Sequence, residues 1–247
     1  MTAALTHARL LSGRSLRTLS RQPAYLLFTL VQPMVWLLLF GQLFRRVAEL
    51  PGFGGDYLDY LTPGVVVMTA MMSAGWSGTS IVQDMERGVM DRTLTSPIRR
   101  YALVTVVQSL IMFATGLLAG ARYPGGVQGL LVVLACAVLV ALVFAGLSNA
   151  VALLVHQQEA LIAVAQFLVL PLAFLSSVMM APALMPGWVA RAARFNPVDW
   201  AAVASREALR ANPDWGLVLD RAALLAALAI LMAWLAARAY RVHQRSL

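Results

Sequence analysis

Residues 60–83 read YLTPGVVVMTAMMSAGWSGTSIVQ, residues 84–100 read DMERGVMDRTLTSPIRR, and residues 101–121 read YALVTVVQSLIMFATGLLAGA. The outer two stretches contain no Asp, Glu, Lys or Arg, whereas the 17 residues between them hold seven charged side chains. A helix crossing the hydrocarbon core needs about 20 predominantly apolar residues. Two such runs joined by a short charged loop are the pattern of a polytopic all-α membrane protein.

The same criterion applied outward finds four more runs. The first spans about 23–44, between Arg21 and Arg45. After residue 121 an uncharged stretch of 123–158 opens with Pro124, Gly125 and Gly126, which mark a turn, and leaves one helix over about 128–154. The stretch 160–190 is broken by Pro171, Pro182 and Pro186, so its helix is expected over about 160–180. The last run reaches about 217–238 when Arg221 and Arg238 snorkel at its ends. Six spans over 23–44, 60–83, 101–121, 128–154, 160–180 and 217–238 form a single transmembrane domain covering 1–247. No cleavable signal peptide is expected before them, because the polar N-terminal region is long and the first apolar run exceeds an h-region.

Composition agrees. The chain is 60% hydrophobic and 12% charged, with a mean hydropathy of +0.76, whereas soluble domains carry about 25% charged residues. All 19 cations are Arg, there is no Lys, and with 11 acids the formal charge is +8. Without Lys there is no phosphate-binding loop of the G-x-x-x-x-G-K-[ST] kind and no Schiff-base chemistry. His7, His156 and His243 have no ligand spacing, so no metal or cofactor is expected in this chain. The single Cys136 forbids a disulfide within it. Arg residues scattered between apolar runs fit membrane lipid as the anionic partner and not nucleic acid. No nucleophile–base set is evident, so the chain is not read as an enzyme.

Arginine placement sets orientation. With six spans, both termini share a side with residues 84–100 and 155–159. That side carries eleven Arg against four acids, a balance of +7, and the other side balances to +1. Both termini are therefore expected in the cytoplasm of a bacterial inner (plasma) membrane. Residues 2–22 place Ala4, Leu5, Ala8, Leu11, Leu16 and Leu19 on one helical arc and Arg9, Arg14, Arg17 and Arg21 on the other. They read as an interfacial amphipathic helix, the alternative being a simple positive-inside flank.

Within 84–100, Glu86-Arg87-Gly88-Val89-Met90-Asp91-Arg92, followed by Ser96-Pro97 and Arg100, is similar to E-R-G-T-L-E-R-L-x-x-T-P-x-x-R. That pattern lies between the second and third spans of the membrane subunits of type-2 ATP-binding-cassette exporters. Tyr57-Leu58-Asp59-Tyr60-Leu61-Thr62-Pro63-Gly64 resembles the family's Y-x-x-[FY]-x-x-P-G segment. Pro171, Phe174-Leu175-Ser176-Ser177, Pro182, Met185-Pro186 and Trp188 resemble P-x-x-F-L-S-G…P…P-x-W, and Asn196-Pro197-Val198-Asp199-Trp200 resembles N-P-x-x-[YW]. Val89, Asp91, Thr93 and Ser96 stand where the family pattern has Thr, Glu, Leu and Thr, and Ser177 stands for Gly. The four motifs occur in the family's order, and the likeness covers nearly the whole chain. In character it lies nearest the bacterial drug and antibiotic efflux permeases.

The resemblance implies a permease moving a hydrophobic or amphipathic substrate, most plausibly a drug or antibiotic, driven by a separate ATPase subunit in two copies that binds ATP and Mg. A second permease subunit, identical or not, would complete the pathway. A lipid or lipid-linked glycan substrate, and a membrane assembly or regulatory protein with no transport of its own, are the other readings. Residues 84–100 would be the cytoplasmic coupling loop, with Glu86, Arg87, Gly88, Asp91, Arg92 and Pro97 as contacts or shape-givers; a merely solvated loop is the plainer alternative. Residues 181–211, with Pro182, Pro186, Asn196 and Pro197, would be a re-entrant helical hairpin at the outer leaflet, or an ordinary external loop. Met68, Met72, Trp76, Phe167, Phe174 and Met179 could line a substrate path, because Met and aromatic side chains make adaptable apolar surfaces; packing against lipid or neighbouring helices is the alternative role.

Overall fold

The computed structural model describes residues 23–49, 56–86, 96–155 and 157–244. The amphipathic helix expected over 2–22, and Arg87, Gly88, Asp91 and Arg92 of the charged loop, lie outside the described residues. All regular structure among the described residues is helical: α1 (Pro23–Leu43), α2 (Tyr57–Gly75), α3 (Gly78–Glu86), α4 (Ser96–Leu118), α5 (Gly126–Val155), α6 (Gln158–Phe174), α7 (Gly187–Ala193), α8 (Pro197–Ala208) and α9 (Trp215–Gln244). Short 3₁₀ turns occupy Arg45–Glu49 and Pro182–Leu184.

Among the described residues three helical stretches are long and apolar enough to cross a membrane: Tyr57–Gln83, Gly126–Val155 and Trp215–Arg238. Leu30–Leu43, Ala102–Leu118 and Gln158–Phe174 are shorter apolar helical stretches. Five of the six expected runs therefore correspond to single helices, with shifted boundaries. The run 60–83 does not, because α2 ends at Gly75 and α3 starts at Gly78. Pro97, expected to close the charged loop, is instead the second residue of α4, where its missing N–H costs nothing. Arg99 and Arg100 are accordingly helical.

Long-range contacts fix how the helices run. Rings of Trp36, Phe40, Phe44 and Tyr57 follow one another at centroid separations of 4.8, 5.4 and 5.9 Å, which puts the end of α1 beside the start of α2. Asp59 accepts from the Arg122 N–H at 2.6 Å, and Gly125 N–H donates to the Leu209 carbonyl at 2.9 Å. The end of α4, the start of α5 and the end of α8 thus share that end of the bundle. At the opposite end Ser148 of α5 bonds Gly75, and Val82 of α3 packs with Ala152 and Leu161. Helices α1, α2, α4, α5, α6 and α9 alternate in direction between these two ends, as in an up-and-down bundle.

Helix α5 is the axis. Its buried face, including Val133, Cys136, Ala137, Val140, Ala141, Phe144, Ala145 and Ser148, repeats every three to four residues and is rich in small side chains. Small residues let backbones approach closely where no hydrophobic effect drives helices together. One core joins α2, α5, α6, α8 and α9 around Met71, Phe144, Val178 and Leu225. A second joins α1, α2, α4 and α5 around Leu37, Leu61, Met112 and Val133. Val31, Val35, Leu39, Leu43, Leu170, Ile230 and Trp234 face outward on α1, α6 and α9. An apolar exterior of this extent suits lipid or another subunit and not water.

Candidate functional site

Helix α6 stops at Phe174, three residues beyond Pro171, and Pro182 and Pro186 keep the chain from resuming it. Residues 175–181 form an irregular strap of backbone lying against α2 and α8. Irregular backbone packed inside a protein needs partners for its peptide groups. Here they find them. Tyr57 Oη donates to the Met179 carbonyl at 2.9 Å and Tyr60 Oη to the Ser177 carbonyl at 2.7 Å. Asp199 Oδ1 accepts from the Ser177 N–H at 2.7 Å.

Asn196 joins the strap to α8 with both ends of its amide. Its Nδ2 donates to the Leu172 and Leu175 carbonyls at 2.7 and 2.9 Å, groups left over where α6 ends. Its Oδ1 accepts from the Val198 N–H at 2.9 Å and so caps α8, with Pro197 as the first helical residue.

Arg206 is the centre of the constellation. Its Nε donates to the Tyr60 carbonyl at 2.9 Å, Nη1 to Ser177 Oγ at 3.0 Å, and Nη2 to the Ser177 and Val178 carbonyls at 2.6 and 2.8 Å. The guanidinium carbon lies 3.6 Å from the centroid of the Tyr60 ring, a cation–π contact. A planar fork with five donors fits this task, because it reaches three carbonyls of two segments without rotating. The strap comes so close to α2 that a Cβ on Gly64 would stand 2.7 Å from the Val178 carbonyl oxygen and 2.9 Å from Arg206 Nη2.

Three of the sequence motifs therefore meet in space. Residues 57–64, 171–177 and 196–200 supply Tyr57, Tyr60, Gly64, Ser177, Asn196 and Asp199 to one cluster. Pro182 opens the 3₁₀ turn and Pro186 immediately precedes α7, so 181–211 does contain two short helices, α7 and α8. Arg206, which binds the motifs together, belongs to none of them. A signal existed: Asp199 and Arg206, seven apart on a short apolar helix, fall on one face two turns apart.

The expected substrate-path residues divide. Met68, Met72 and Met179 pack at the margin of the same core. Trp76, Phe167 and Phe174 face outward, at 41%, 77% and 64% exposure. Phe167 and Phe174 are seven apart on α6 and so share its outer face, whereas Met68 and Met72 are one turn apart on α2. In the coupling set, Glu86 is the last residue of α3 and Pro97 lies in the first turn of α4.

The sequence profile of the family described as "ABC-2 type transporter" matches residues 6–209. The "Daunorubicin resistance ABC transporter permease protein DrrB1" of Streptomyces coeruleorubidus is 30% identical over 258 residues, covering 98% of this chain and 87% of that protein. A "Putative transport permease ycf38" of Cyanophora paradoxa is 28% identical, with 74% of this chain and 67% of that protein covered. Its namesake in Porphyra purpurea is also 28% identical, with 79% and 70% covered.

Proposed function

Because the chain belongs to the ABC-2 type transporter family and is a multi-pass membrane permease of that kind, we propose that it exports a drug-like, hydrophobic or amphipathic substrate across a bacterial inner membrane, driven by ATP hydrolysed on a separate subunit. The observation that carries this reading is the 98% coverage by a drug-resistance permease of a chain that holds no Lys for a phosphate-binding loop. Two permease subunits, identical or different, enclose the path, and two ATPase subunits sit beneath them. ATP and Mg bind to the ATPase subunits, and the nucleotide drives the permease pair only through differential affinity for its two arrangements.

In this reading six helices span the membrane with both termini in the cytoplasm, and residues 2–22 lie in the interface. The loop around 84–97 seats in the ATPase subunit, with Glu86, Arg87, Asp91 and Arg92 making directional charge contacts and Gly88 allowing close approach. The segment 181–211, bound to α2 through Arg206 and to the end of α6 through Asn196, is a re-entrant hairpin that shapes the outer exit. Met68, Met72 and Met179 offer an adaptable apolar wall beside it.

The loop is tested by reversing two charges together, Glu86→Lys and Asp91→Lys, in the reconstituted complex. Placing like charges across a docking interface costs several kcal/mol, so stimulation of the ATPase subunit by the permease falls by about tenfold or more. Membrane insertion of the permease stays at its wild-type level. Wild-type stimulation in the doubly reversed protein contradicts the assignment.

A further inference from the structure

We infer that Ser148 is a positioning residue for ATP-driven transport: its hydroxyl is the pin of a hinge that separates α3 from α2 and ties both to α5. The inference rests on the proposed role of residues 84–97 as the place where the ATPase subunit pushes. Helix α2 ends at Gly75, and Trp76–Ser77 interrupt the chain before α3 begins at Gly78. Across the interruption the i→i−4 ladder is replaced by tighter bonds, Ser77 N–H to the Ala74 carbonyl at 3.0 Å and Thr79 N–H to the Trp76 carbonyl at 3.2 Å. That change strands one acceptor on α2, the Gly75 carbonyl, and one donor on α3, the Gly78 N–H.

Ser148 takes up both. Its Oγ–H donates to the Gly75 carbonyl at 2.6 Å, and the same oxygen accepts from the Gly78 N–H at 3.0 Å. One hydroxyl, 6% exposed, thus bridges the two sides of the break from a third helix. Side-chain hydroxyls around the break also find partners, locally or on α5. Thr79 Oγ1 donates to the Trp76 carbonyl at 2.8 Å, Ser80 Oγ to the Ser77 carbonyl at 2.8 Å, and Ser77 Oγ to Asn149 Oδ1 at 3.1 Å. Gly78 is required by the approach itself, because a Cβ there would stand 2.5 Å from the Ser148 carbonyl oxygen. A break whose Gly75 carbonyl and Gly78 N–H are both answered from a third helix is a built joint and not a frayed helix.

Packing shows what the joint separates. The apolar side of α3, Ile81, Val82 and Met85, belongs to neither of the two large cores. It forms a third cluster with Val151 and Ala152 of α5 and Leu161 of α6. Helix α3 therefore rides on the adjoining ends of α5 and α6, while α2 is held in the other two cores and, through Tyr57 and Tyr60, to the strap. A push delivered at the end of α3 passes into α5 and α6 and reaches α2 through Ser148.

The test uses the full-length permease, copurified and reconstituted with its ATPase subunit. Two quantities are measured: the amount of ATPase subunit retained, and the ratio of its activity in the complex to its activity alone. In Ser148→Ala, retention stays at the wild-type level, while the stimulation ratio falls about tenfold, the factor expected from leaving a buried group unpaired in one of two arrangements. Ser148→Thr, which keeps the hydroxyl, restores stimulation to within about twofold of wild type, a residual that overpacking by one methyl allows. Gly78→Ala attacks the joint from the other side and lowers stimulation as Ser148→Ala does. Wild-type stimulation in Ser148→Ala, an equal loss in Ser148→Thr, or a parallel loss of retention and stimulation each overturn the hinge. Failure of the wild-type chain to retain or stimulate an ATPase subunit overturns the functional reading on which the hinge rests.

Discussion

Arg206→Met lowers the thermal midpoint of the protein in mild detergent by about 6–12 °C, corresponding to roughly 3 kcal/mol at the 2–4 °C per kcal/mol usual for chains of this size. The substitution keeps an unbranched apolar stem but removes four hydrogen bonds and the contact with the Tyr60 ring. It leaves the Val178 carbonyl without the guanidinium that served it, while the Ser177 carbonyl keeps the Tyr60 hydroxyl. Each buried acceptor left unsatisfied costs about 1–3 kcal/mol, more than the bond contributed while present. Arg206→Lys keeps the charge but not the fork, so it recovers less than half of the loss. A midpoint within about 2 °C of wild type, less than a 1 kcal/mol change, contradicts the view that this side chain holds the strap.

The second large effect comes from the opposite wall of the same site. Gly64→Val places a branched side chain where even a Cβ meets the Val178 carbonyl oxygen at 2.7 Å, Arg206 Nη2 at 2.9 Å and Val178 Cγ1 at 3.1 Å. None of these neighbours is a free side-chain tip: one is backbone, and Arg206 is held by four hydrogen bonds. Overpacking of a tight site costs about 1–3 kcal/mol and sometimes more, so Gly64→Ala lies inside that range and Gly64→Val at or beyond its top. The midpoint of Gly64→Val falls by about 6 °C or more. Because both substitutions act on one network, Arg206→Met combined with Gly64→Ala costs less than the separate losses added, by about 1 kcal/mol. Full additivity would mean that the strap does not link the two residues.

The bundle was legible in the sequence where charge and apolar length decide the outcome. The runs at 23–44, 128–154 and 217–238 appear as α1, α5 and α9 with boundaries within a few residues, apart from the C-terminal extension of α9 to Gln244. The prolines at 171, 182 and 186 marked the broken region, and Asn196-Pro197 marked the start of α8. The break at 76–77 was hidden because counting charged residues cannot see it. Gly75, Ser77, Gly78, Thr79 and Ser80 are polar or small yet uncharged, and the serine that answers them lies 70 residues away from Gly78. Arg206 was hidden for the opposite reason: a charge in an external segment reads as solvated until the carbonyls around it are known. Its ligands come from Tyr60, Ser177 and Val178, and only the folded bundle brings those together.

An ATP-driven permease without a Lys-containing phosphate-binding loop must take its power from a second chain. Uptake of a panel of fluorescent hydrophobic and amphipathic drugs is followed in inside-out vesicles containing the wild-type permease, its ATPase subunit, or both. The account predicts ATP-dependent accumulation only when both subunits are present, abolished by vanadate and by the Glu86→Lys, Asp91→Lys pair. Accumulation by the permease without the ATPase subunit, or none with both present, would contradict it.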